Sequence, residues 1–98
     1  MPQLEKWIGR LRAASSFDDV VRAARDFLAE QPHALMARLP PAFTPRPMKH
    51  SMDVALYAAA LVQDQPALDP EVQAQVYELT RFFTAASNKL AHLIAADK

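Results

Sequence analysis

Three histidines, His33, His50 and His92, have the widest chemical repertoire in this sequence, as metal ligands, proton carriers or activators of a nucleophile. A metal site on a helix needs a second ligand three or four residues on, and neither His33 nor His92 has a histidine or carboxylate there. Asp53 follows His50 by three residues, but across a helix start, so the two need not face one site. The histidines therefore read as surface or capping residues. Cysteine is absent, which removes disulfides, thiolate metal sites and cysteine nucleophiles together. A serine nucleophile wants a strained strand-to-helix turn with glycines beside it, and a phosphate-cradling loop wants several glycines; the chain has one. The paired carboxylates Asp18 and Asp19 fall in the first turn of a helix, where the macrodipole explains them. We expect neither an enzyme nor a bound cofactor or metal.

The other concentration of chemistry is residues 31–52, which hold Arg38, Arg46, Lys49, His33 and His50, no acid, and five of the eight prolines. Arg38, Phe43, Arg46, Lys49 and His50 are the candidate partner-binding residues, Phe43 as the large apolar anchor of an otherwise extended connector. The segment reads either as a stiff structural crossover or as a docking strip. Three fixed charges all neutralising phosphates would give a salt slope of roughly −2.7, a loss of about 40-fold between 50 and 200 mM salt. That suits weak anion or nucleic-acid contact only, and nucleic acid is not the expected partner. Within the segment, His50-Ser51-Met52 resembles the His-Ser-Leu segment of peptidyl carrier domains, whose serine takes a phosphopantetheine arm. The glycines that precede the family's segment are replaced by Met48 and Lys49, and the leucine by methionine. A long last helix also does not suit that fold, so Ser51 reads as a helix N-cap.

The elements that position these residues are helical. The chain is organised on its last third, where Asp69 is an N-cap and Pro70 fits the first helical position. Val72, Val76, Leu79, Phe83, Ala86, Leu90 and Leu93 then return in steps of four and three, an unbroken heptad stripe that Phe82 and Ile94 widen. Opposite lie Tyr77, Arg81, Thr84, Asn88 and Ala91, the candidate interface. This face carries too few charges for an ordinary solvated helix, so it suits a twofold mate or another protein, or is simply an alanine-rich exposed face.

Leu4, Trp7, Ile8 and Leu11 set a first helix over 3–14, with Gly9 either a tolerated exposed glycine or a point of close approach. Ser16 with Asp19 resembles a capping box opening a second helix over 16–30, from Phe17 through Leu28, with Arg22 and Asp26 an i,i+4 pair. Pro32 can open a short turn over 33–39 that Pro40 and Pro41 must stop. A helix over 51–63 is apolar on every side and should lie in the middle of the packing.

With 98 residues, 51% hydrophobic, one glycine and abundant alanine, the chain reads as a single all-α domain over 1–98, a small bundle of four main helices plus a short helical turn. Eleven basic residues balance eleven acidic ones, which argues against a surface built as a whole for nucleic acid or anionic membrane. The longest apolar run, Val54 to Val62, is about half what crosses a bilayer. No basic stretch followed by an apolar run opens the chain, so a cytoplasmic location is expected. The function expected is a small non-enzymatic protein-interaction module: an adaptor, chaperone-like or regulatory subunit, its partner another protein or itself as a homodimer. Weak anion or nucleic-acid binding through 31–52 is the alternative.

Overall fold

The protein is described here by a computed structural model covering residues 3–63 and 67–96. Within them the order is α1 (Gln3–Ala13), α2 (Phe17–Glu30), α3 (His33–Met36), a 3-10 turn (Pro41–Phe43), α4 (Ser51–Leu61) and α5 (Pro70–Ala96), with no strand among the described residues. The all-α bundle of four main helices, the last of them the long C-terminal one, plus one short helix is thus as expected among the described residues. None of the helices is long and apolar enough to cross a membrane.

The carboxylate of Asp69 starts α5 by accepting the amides of Glu71 and Val72 at 3.0 and 3.2 Å, two donors that otherwise have no intrahelical partner. At 27 residues this helix extends about 40 Å and sets the molecule's longest dimension of 43 Å. The other four helices all pack against it. Its heptad stripe from Val72 to Leu90 is buried with Phe82 beside it, and Leu93 is half-buried. Ile94, expected in the stripe, is half-exposed, because α5 by then runs past its neighbours' cover. Gln75 joins the buried face instead, donating to Oε1 of Gln31 at 2.7 Å and approaching Met36 Sδ at 3.7 Å. The apolar stripe therefore contains one satisfied polar side chain.

Five aromatic rings tie the helices together. Trp7 of α1 meets Phe27 of α2 edge-on at 5.8 Å; Phe27 stacks on Phe82 at 4.0 Å; and Tyr57 of α4 meets Phe83 edge-on at 4.7 Å. The ends of the helices carry the polar ties. Ser16 caps α2 by accepting the Asp19 amide at 3.2 Å, while the Asp19 carboxylate reaches back to the amide of Ser15, one residue earlier than a regular capping box. Asp26 pairs not with Arg22 but with Arg10 of α1 at 2.7 Å, joining two helices where the sequence suggested a bond within one. Lys89 Nζ donates to the Arg12 carbonyl at 3.0 Å, closing α1 onto α5. Phe17, at the start of α2, is exposed. Gly9 is exposed too, and a Cβ built there meets nothing within 4 Å, so it is the tolerated glycine and not a contact point within the chain.

Candidate functional site

The connector between α3 and α4 is pinned down rather than offered to solvent. Leu39, Phe43 and Met48 are all buried along it, so Phe43 is one of three anchors. The Phe43 ring, 1% exposed, belongs to the core and is not available to a partner, which removes it from the candidate binding residues. Its carbonyl accepts the Tyr57 hydroxyl at 2.7 Å, and the 3-10 turn brings Phe43 N to the Pro40 carbonyl at 2.9 Å. The stretch is therefore not extended throughout.

Of the basic residues, Arg38 is engaged: its guanidinium bonds the Asp69 carboxylate and lies 3.9 Å from Glu71, so the last turn of the α3 region is tied to the start of α5. Its charge is locally matched. Arg46, Lys49 and His50 are exposed at the other end of the connector, and neither Arg46 nor Lys49 forms an ion pair among the described residues. The four basic side chains thus do not act as one strip. Ser51 is not the cap of α4: His50 holds that position and Ser51 is the first helical residue. The start is secured from inside, since Asp53 Oδ2 accepts the amides of Lys49 and His50 at 2.9 Å each. Those amides, the His50 one foremost, hold the Asp53 carboxyl below its ordinary range, with positive charge on His50 and Arg46 acting the same way.

The α5 candidates Tyr77, Arg81, Thr84, Asn88 and Ala91 are all exposed on one helix. The Arg81 guanidinium lies 5.9 Å from the Tyr77 ring centroid, covering part of the largest side chain on that face. Arg81 and Asn88 also border the seam between α1 and α5. There a groove of about 520 Å³ is lined by Leu4, Glu5, Ile8, Arg12, Glu78 and Arg81. A second one of about 340 Å³ shares Ile8 and Arg12 and continues to Asn88, Lys89 and His92. Both are shallow seams, the first holding two acids and two arginines and the second only basic and neutral side chains, and they bring no nucleophile against a base. Among the described residues no three His, Asp or Glu side chains come together as a metal site.

The largest departure from expectation is α4. Val54, Tyr57, Ala58 and Leu61 are buried, but the opposite side, also apolar, is open: Met52 is 63% exposed, Leu56 46% and Val62, just past the helix end, 65%. Ala59 between them is exposed as well. The helix does not lie in the middle of the packing, because a bundle with this few helices leaves every helix an outer side. A signal for this existed in the small number of helices; the periodicity had none to offer, since apolar residues on all sides look alike from the sequence. Compared with protein-family models, curated proteins and solved structures, the chain matches none.

Proposed function

We propose that the chain is a small, cytoplasmic, non-enzymatic protein-interaction module that presents the outer face of α4 to another protein or to a second copy of itself. The observation that carries this reading is the exposure of Met52 and Leu56 on α4 and of Val62 just past its end, with the one charge of the helix, Asp53, occupied with backbone amides. Single exposed apolar residues are ordinary; several on one helical element, without an intervening charge, are characteristic of an interaction surface. The alternative, anion binding through the connector, loses support because Arg38 is already paired and only Arg46, Lys49 and His50 remain for phosphate.

The test is capture from native lysate with the wild-type chain and with Leu56→Glu as baits. Leu56 is half-exposed, so the substitution leaves the core intact. A protein retained by the wild type and lost with Leu56→Glu supports the reading. Identical profiles for both baits, together with a mobility shift of an oligonucleotide at low salt, would instead favour the connector.

A further inference from the structure

We propose that the seam between α1 and α5 binds a small, freely diffusing monocarboxylate with a short apolar tail, at the end where Arg12, Lys89 and His92 converge. The site is separate from the α4 face, and no residue of α4 lines it. α1 runs alongside α5 in the same direction: Leu4 and Glu5 share a groove with Glu78 and Arg81, and Leu11 and Arg12 share the next with Lys89 and His92. This second groove holds about 340 Å³. Small-molecule sites span roughly 300–1,000 Å³, and one turn of a helix about 10 Å across already fills more than this groove, so its size suits a single small molecule.

The lining divides by chemistry. Ile8, Leu11 and Ala85 are its apolar part, and Ile8 and Ala85 are only half-buried by the rest of the chain. Arg12, Asn88, Lys89 and His92 are its polar part, and no acid lines it among the described residues; Glu5 and Glu78 line the neighbouring groove only. Arg12 forms no ion pair among the described residues. Lys89 donates one ammonium proton to the Arg12 carbonyl at 3.0 Å, which leaves two. The formal net charge of the chain is zero, so the cations here are a local excess and not a sample of a basic surface. Cations beside an apolar floor are complementary to an anion on an apolar tail. The planar fork of Arg12 suits a carboxylate through two parallel hydrogen bonds, and the floor suits the tail. A polyphosphate would leave the floor unused, and a neutral hydrocarbon would leave the cations unused. The groove is open, so affinity for a tail of a few carbons is weak, roughly millimolar.

The probes are octanoate, octanol as the tail without the charge, acetate as the charge without the tail, and inorganic phosphate. Each is titrated into the full chain while backbone amide shifts are followed by NMR. Expected are saturable shifts at Ile8, Arg12, Ala85 and His92 with octanoate, and affinities roughly tenfold weaker or worse for the other three probes. Arg12→Glu and His92→Glu, exposed positions on different helices, should each weaken octanoate, Arg12→Glu by roughly tenfold. Helical content is checked for both, and if one fails to fold the other still decides. Octanol binding as tightly as octanoate would overturn the role of the cations, and acetate or phosphate doing so would overturn that of the floor. Unchanged octanoate affinity in the folded variants, shifts confined to other surfaces, or no saturable shift up to the solubility limit would overturn the site itself. Leu56→Glu should bind octanoate like the wild type, so this proposal and the reading of α4 fail separately.

Discussion

The hydroxyl of Tyr57 donates to the carbonyl of Phe43 at 2.7 Å, a buried bond between α4 and the 3-10 turn of the connector. Burial pushes the phenol above its ordinary range, so it is a protonated donor at neutral pH. Tyr57→Phe keeps the ring against Phe83 but leaves the Phe43 carbonyl without this donor. We expect a loss of about 1–3 kcal/mol in chemical denaturation. A variant as stable as the wild type would mean that the connector is not held by this bond.

Phe83 touches Tyr57, Phe27 and Phe82 and is fully buried at the centre of the heptad stripe. Phe83→Ala should cost about 3–5 kcal/mol, against total stabilities of roughly 5–15 kcal/mol for domains in general. A melting temperature within a degree or two of wild type would be incompatible with this core.

Three helix starts share one acid dependence. Asp19, Asp53 and Asp69 each accept backbone amides, and in each the carboxyl lies below its ordinary value, chiefly through the amides of Ser15, His50 and Val72 respectively. A depressed folded-state pKa contributes stability above the unfolded value of about 3.9 and loses it as pH falls through the folded value. The melting temperature should therefore fall below about pH 4. Asp53→Asn should be less stable than wild type near neutrality, with a gap that narrows in acid. A pH-independent gap would show that charge on Asp53 contributes nothing.

The basic residues should separate into two classes. Arg38→Ala removes a half-exposed pair with Asp69 and should cost up to about 1 kcal/mol. Arg46→Glu with Lys49→Glu should change stability by no more than about 0.5 kcal/mol, since both are exposed. A larger loss from the second pair, measured by denaturant melts, would place these two in the structural framework after all.

The bundle was legible because its strongest signals agree: Asp69 and Pro70 at a start, a heptad from Val72 to Leu90, and Pro40 with Pro41 as a stop. The start of α4 was read one residue late because Ser51 is the better cap by type, while Asp53 reaching back to two amides favours His50 in that place. Gln75 could not be placed on the buried face from periodicity, since its polar group is satisfied by Gln31, 44 residues away. The α4 face was missed for the opposite reason: apolar composition says that a side chain would be stable if covered, and coverage depends on how many neighbours the rest of the chain provides.

The packing of every other helix on α5 also bears on how the chain is made. Of these elements α5 leaves the ribosome last, and until it does α1, α2 and α4 lack the surface that buries Leu4, Phe27 and Tyr57. Until then the nascent chain carries those apolar side chains without their cover. The core is completed only once α5 has emerged, and a product truncated before Val72 would leave Leu4, Phe27 and Tyr57 without the helix they pack against.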